Sequence, residues 1–268
     1  MGDVMDRGDE AKEIFSMIRR LEKEAEAAGG MVHQLIGNHE ELNIAGLALN
    51  YGDYVTYKQF MDFLPEKFRE DEEKKFRRKN GGDGDIKAFW DNLRKNPNSE
   101  AGIEAAKNYY DNFNMLVGKW IAEQNVIIKI NDTVFVHGGL NLEYATMGLK
   151  AINNLYRLEF QKVFRGEVFR PRPRILFVSD APLWNRDAPT DPNYEDFVDK
   201  ILAAVDAKQM VVAHTPTIPR SIDTIEKDIR KFDGKVWIAD TGIATIYRGY
   251  PVALFIDKNG QVTYRVYQ

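Results

Sequence analysis

Val126-Ile127-Ile128-Lys129-Ile130-Asn131-Asp132-Thr133-Val134-Phe135-Val136-His137-Gly138-Gly139 sets two apolar runs on either side of an Asn-Asp turn. Short runs of β-branched and aromatic residues around such a turn predict a hairpin. The second run stops at a histidine followed by two glycines, which permit close backbone approach to a ligand. Alone, a histidine in that place is more often structural than functional. The same layout recurs, however. The apolar run from Met31 to Ile36 leads into Gly37-Asn38-His39-Glu40, and Met210-Val211-Val212-Ala213 leads into His214-Thr215-Pro216. Polar residues at several strand ends are the arrangement in which open α/β sheets place their ligands.

Outward from these stretches the pattern alternates between helix and strand. Ile14, Met17, Ile18, Leu21 and Ala25 recur at helical spacing, with Gly29-Gly30 as the stop, so a helix is expected over residues 10–28. Phe197, Ile201, Leu202 and Val205 mark another helix, feeding the strand before His214. Further strands are expected at Ile175–Val178, Met210–Ala213, Val236–Ala239, Val252–Ile256 and Val262–Val266, the last two joined at Asp257-Lys258-Asn259-Gly260. Residues from about 41 to 124 are rich in aromatics and charge and read as a mostly helical insertion, with an exposed loop near 80–85. Leu140 to Pro173 reads as helical until Arg170-Pro171-Arg172-Pro173 breaks it. The expected fold is α/β: two packed mixed β-sheets flanked by helices, with the insertion as a helical cap.

Composition narrows the function. With 268 residues the chain is long enough for a large core, and 37 Lys and Arg against 41 Asp and Glu leave a formal charge of −4. No basic field favours nucleic acid as a partner, and no apolar run is long enough to span a bilayer. The absence of cysteine removes disulfides, thiolate nucleophiles and Cys-bound zinc. A cytoplasmic location is expected, or a periplasmic one if a signal peptide lies upstream.

Three of the four histidines sit in strand-end motifs, and Gly2-Asp3-Val4-Met5-Asp6-Arg7-Gly8 adds two carboxylates three residues apart between glycines. Each motif has a plain structural alternative, such as a capped turn or a satisfied polar pair. Together they offer the mixed Asp, Asn and His ligands that two-metal phosphate-ester hydrolysis requires. His33 falls within the Met31–Ile36 run and reads as a core residue or a support for the ligands.

This series, in this order and spacing, resembles the calcineurin-like metallophosphoesterase superfamily. Within it the phosphoprotein-phosphatase group is most similar, particularly the bacterial Shewanella-like protein phosphatases. Gly37 to Asn43, Phe135 to Leu140, Ala181-Pro182-Leu183-Trp184-Asn185-Arg186 and Ala239-Asp240-Thr241-Gly242 support it. The resemblance implies a four-layer sandwich over residues 1–268 and a metal-dependent phosphomonoesterase using a metal-bound hydroxide. Its substrate would be a phosphorylated protein (Ser/Thr or Tyr), a phosphopeptide or a small phosphate ester. It implies that Asp3, Asn38, His137 and His214 bind metal, Asp3 as the bridge. It also implies that His39, positioned by Asp6, protonates the leaving group while Arg7 and Arg186 grip phosphate.

The family's Asp-x-His motif, which precedes Gly-Asp-x-x-Asp-Arg-Gly and binds the first metal, has no counterpart here. The expectation is an N-terminally truncated and impaired form holding one ion of Mn, Fe or Zn, where a complete member holds two. Asp240 is the first candidate for a substitute carboxylate. Two other readings stand beside the phosphatase: a catalytically incomplete pseudophosphatase that binds phosphate, and a phosphoesterase acting on nucleotides or dinucleoside polyphosphates.

Overall fold

The computed structural model describes residues 1–82, 84–167 and 173–267. The chain divides into two compact units, one made of Met1–Asp3, Gln34–Asn38 and Ala122–Gln268, the other of Val4–His33 and His39–Ile121.

The second unit is helical. Helix α1 spans Ala11–Ala27, and α2, Asn38–Ile44, begins at the last residue of the neighbouring segment. Helices α3 (Tyr57–Phe63), α4 (Glu66–Lys79), α5 (Ile86–Lys95), α6 (Glu100–Phe113) and α7 (Lys119–Ala122) follow. Their starts are written in the sequence. The side chains of Thr56, Asp85 and Ser99 each accept a hydrogen bond from the backbone N–H three residues on, satisfying donors that a helix N-terminus leaves open. Phe60, Phe63, Tyr109 and Phe113 pack ring against ring, Phe63 edge-on to Phe113 with centroids 5.2 Å apart. All four are fully buried, and each contributes roughly 1.5–3 kcal/mol of hydrophobic stabilisation. By contrast α4 buries no side chain completely. A π-helical segment, Asn114–Gly118, follows α6, and Asn114 Nδ2 donates to the carbonyl of Ile44, the last residue of α2.

The first unit carries the sheets. Strands β1 (Ile127–Ile130) and β2 (Thr133–Val136) form the expected hairpin, with Asn131 in the left-handed region at φ 51°. Strand β2 runs parallel to β3 (Gln209–Val212), and β3 parallel to β5 (Val236–Ile238), while β4 (Arg230–Lys231) pairs antiparallel on the outer edge. The order is β1-β2-β3-β5-β4, a mixed sheet. A second sheet is the hairpin of β6 (Val252–Ile256) and β7 (Val262–Val266). Alternation along the strands explains how the sheets meet. Val211 and Trp237 face Val252, Leu254, Ile256, Val262, Tyr264 and Val266, joined by Ile225 and Ile229 of α12 (Ile225–Ile229). Helices α8 (Leu142–Met147), α9 (Leu149–Phe164), α10 (Asp187–Thr190) and α11 (Glu195–Ala204) flank the larger sheet. The Asn153 amide of α9 accepts from the N–H of Val126 and Ile127 and donates to the Ile127 carbonyl.

Three expectations require correction. Met31 to Ile36 does not form a strand: Leu35 makes one parallel bridge, to Asn125, and His33 is exposed coil rather than core. The apolar run reports the burial of Leu35 and Ile36, not strand pairing. Ile175–Val178 is likewise no strand. The N–H groups of Arg174, Ile175 and Leu176 are taken by the buried carboxylate of Glu159, at 2.7, 3.1 and 3.1 Å, and Phe177 turns left-handed at φ 59°. Helix α11 forms where expected, and its buried face is Val198, Ile201 and Leu202, with Phe197 exposed. The expected break at Arg170-Pro171-Arg172 lies outside the described residues, as does Asp83 in the 80–85 loop.

Candidate functional site

In the sheet-bearing unit, parallel pairing brings the polar strand ends into line. The Ala213 N–H donates to the His137 carbonyl at 2.7 Å and the Ala239 N–H to the Val212 carbonyl at 2.7 Å. His137, His214 and Asp240 therefore follow β2, β3 and β5 at the same end of the sheet. The imidazole centroids of His137 and His214 lie 5.0 Å apart. Asp3 and Asn38 reach the same place because Gly2 lies against Gly37. Gly2 has φ 82°, and a Cβ on it would overlap the Gly37 backbone. One oxygen of Asp3 and one ring nitrogen from each of His137 and His214 lie within 4.8 Å of one another.

Hydrogen bonding fixes what this cluster can hold. His137 Nδ1 lies 2.7 Å from the Met1 carbonyl. A carbonyl only accepts, so the proton sits on Nδ1 and the lone pair of the neutral ring is on Nε2. That nitrogen faces Asn38 Oδ1 at 3.1 Å and Asp3 Oδ2 at 3.2 Å. A metal ion, or a second proton on the ring, would satisfy these acceptors together. One carboxylate, one amide oxygen and two imidazoles form a donor set suited to Mn, Fe or Zn. Asp3 and His214 are also left-handed non-glycine residues, at φ 54° and 62°, a backbone strain that concentrates at functional sites.

Arg186 reaches this group through the glycines of the His-Gly-Gly motif. The N–H groups of Gly138 and Gly139 both donate to the Pro182 carbonyl, and a Cβ on either glycine would collide with Asn185. The Ala181–Arg186 segment is thereby drawn in, and Arg186 donates to the His214 carbonyl at 3.2 Å and Thr215 Oγ1 at 3.0 Å. Asp240 does not belong to the three-residue group whose atoms could hold a metal ion. Burial pushes its carboxyl above the usual range, the Gly242 N–H pulls it back, and the negative charge of Asp3 raises it further.

The helical unit holds the other predicted residues. Asp6 Oδ2 and His39 Nδ1 are 2.7 Å apart and both side chains are buried. The His39 ring packs on Tyr54 at 4.4 Å between centroids. The Arg7 guanidinium covers the same tyrosine at 4.5 Å, and the Arg7 backbone N–H donates to the Tyr54 carbonyl. Asp6 and Arg7 are left-handed at φ 65° and 56°. Glu40, fully buried, accepts from the Val4 N–H at 2.9 Å and ties this loop to α2.

The structure thus gathers Asp3, Asn38, His137, His214 and Arg186 in one unit and Asp6, Arg7 and His39 in the other. Sequence reasoning missed the Met1 carbonyl and the groups around Asp6: Asn43, Gln59 and Tyr109. Asn43, four residues after His39 on one helix, could have been found by spacing. Gln59 and Tyr109 carry no local signal.

Against known proteins, the family model for calcineurin-like phosphoesterases matches residues 1–218. Shewanella-like protein phosphatase 1 of Plasmodium berghei is 26% identical over 96% of this chain and 61% of its own length. Shewanella-like protein phosphatase 2 of Arabidopsis thaliana is 30% identical over 59% of this chain and 40% of its own. An uncharacterized Schizosaccharomyces pombe protein is 25% identical over 96% of this chain and 65% of its own. The chain therefore spans less than two thirds of each of these relatives. A cold-active protein tyrosine phosphatase solved at 1.1 Å shares the fold, with TM-score 0.63 and 22% identity over 98% of this chain and 66% of that one. A second structure, from a psychrophilic Shewanella species, has TM-score 0.59 and 24% identity over 100% and 68%. The chain belongs to the calcineurin-like phosphoesterase family.

Proposed function

We propose that this chain is a metal-dependent phosphomonoesterase acting on phosphorylated proteins or peptides. The observation that carries this reading is the convergence of acceptors on His137 Nε2, with Asp3 and Asn38 oxygens at 3.2 and 3.1 Å. A divalent cation held by Asp3, Asn38, His137 and His214 supplies Lewis acidity toward a phosphoryl oxygen and lowers the pKa of water. Arg186, anchored on the His214 carbonyl and Thr215, offers a guanidinium to phosphate oxygens, and Arg7, braced on Tyr54, offers a second.

His39 is the proton donor for the leaving oxygen. Asp6 accepts from Nδ1, which leaves Nε2 as the nitrogen that delivers the proton. The names of two relatives as protein phosphatases support the choice of a phosphoprotein substrate. The test is hydrolysis of phosphotyrosine and phosphoserine peptides, an aryl phosphate and a dinucleoside polyphosphate, with Mn, Fe or Zn and with chelator. Peptide turnover lost on chelation is the expected result. Turnover confined to the dinucleotide would favour the nucleotide reading, and phosphopeptide binding without turnover would favour a binding module.

A further inference from the structure

Around Asp6 the helical unit builds a closed hydrogen-bonded ring whose donor directions can be read without ambiguity. The Asp6 N–H donates to Gln59 at 2.9 Å, so the acceptor there is Oε1. Gln59 Nε2 must then be the group that donates to Asp6 Oδ1 at 2.7 Å and to the Tyr109 hydroxyl at 2.9 Å. Having accepted from Gln59, Tyr109 donates its own proton to Asn43 Oδ1 at 2.9 Å. That orients the Asn43 amide so that Nδ2 donates to Asp6 Oδ1 at 3.2 Å and Oδ2 at 3.1 Å, and to the His39 carbonyl at 3.0 Å. Burial, and next the charge of Asp6, hold the Tyr109 phenol well above its usual range, so it remains a donor. Asp6, Asn43, Gln59 and Tyr109 are all buried, the last three completely.

We propose that Gln59, Tyr109 and Asn43 are positioning residues for His39: they lock the Asp6 carboxylate as a pure acceptor, and so hold the imidazole with its proton on Nδ1. Side-chain N–H groups of Gln59 and Asn43 take up the remaining lone pairs of Asp6, and Oδ2 is left directed at His39 Nδ1. The alternative tautomer would place an imidazole lone pair against a buried carboxylate, an acceptor facing an acceptor. Gln59 comes from α3 and Tyr109 from α6. These helices therefore contribute to proton delivery without supplying a residue that touches substrate. The catalytic meaning of this assignment rests on His39 being the proton donor.

The test uses the full 268-residue chain with ¹⁵N-labelled histidine rings; with four histidines, His39→Asn assigns the signal. The wild type should show a single Nδ1-protonated tautomer for His39, with slow exchange of that proton. Tyr109→Phe keeps the ring packing and removes only the hydroxyl; Gln59→Glu keeps the size and removes the donors. Each should speed exchange by about fivefold or more, the fold-change that corresponds to one lost hydrogen bond. Phe113→Leu disturbs the same aromatic core (its ring lies 6.4 Å from that of Tyr109) without touching the ring of hydrogen bonds, and should stay within about twofold. In turnover, Tyr109→Phe should lower kcat for alkyl phosphates with KM unchanged, and lower it less for aryl phosphates. Unchanged His39 signals in both Tyr109→Phe and Gln59→Glu overturn the proposal, as does an equal change in Phe113→Leu. If the tautomer responds as expected while His39→Asn leaves alkyl-ester turnover intact, positioning stands and the proton-donor reading fails.

Discussion

The two polar clusters follow opposite hydrogen-bonding logic. In the sheet-bearing unit, oxygens of Asp3 and Asn38 converge on the lone-pair nitrogen of His137. A divalent cation placed among these groups would satisfy them together. In the helical unit the reverse holds. Donors from Gln59, Asn43 and His39 converge on the one carboxylate of Asp6, and protein atoms alone balance it. Both clusters contain a histidine paired with an aspartate, so residue type does not separate a ligand from a proton donor. The partner of the second ring nitrogen, or of the carboxylate, does.

The largest expected effect probes this contrast. His39→Asn should lower kcat for alkyl phosphates on the order of 10²–10⁴-fold, the usual range for a general acid. Aryl phosphates, with better leaving groups, should lose less. Metal content should not change, since His39 belongs to the balanced cluster; parallel losses of metal and turnover in steady-state and metal assays would erase the distinction.

Glu159 supplies a control inside the sheet-bearing unit. It is a buried carboxylate fed by three backbone N–H groups, but with no role in holding a cation. Glu159→Ala should destabilise the fold by roughly 3 kcal/mol, because buried amides lose their acceptor. Thermal melts should show the loss, and metal bound per folded chain should stay constant. A smaller effect is expected at Gly2. Gly2→Ala forces a side chain against Gly37 at positive φ, shifting Asp3 relative to Asn38 while keeping every ligand. Metal affinity by titration calorimetry should fall about tenfold, at the low end for groups that orient ligands. An unchanged affinity would show that the Gly2–Gly37 approach does not position the cluster.

Legibility in the sequence tracked where the physical signal is local. The β1–β2 hairpin was readable because its turn and both apolar runs lie within eleven residues. The gathering of His137 and His214 was legible because both end apolar runs, and parallel pairing then sets those ends side by side. Residues 175–178 misled because their amides bond to a side chain from α9, sixteen residues away from Ile175, which strand propensity cannot register. His33 misled because an apolar run was taken for a paired strand. Gln59 and Tyr109 were invisible for a related reason. Their partners lie 53 and 66 residues away, at Asp6 and Asn43, and neither position breaks the helical pattern around it.

Metal retention decides whether the cluster of Asp3, Asn38, His137 and His214 holds a divalent cation while the one around Asp6 needs none. The chain is dialysed against Mn²⁺ or Zn²⁺, freed of loose ion, and its metal measured alongside His137→Ala and His39→Asn. One tightly held ion per chain is expected in the wild type and in His39→Asn, and its loss in His137→Ala. Retention of no ion by the wild type, or equal retention with and without His137, would contradict that expectation.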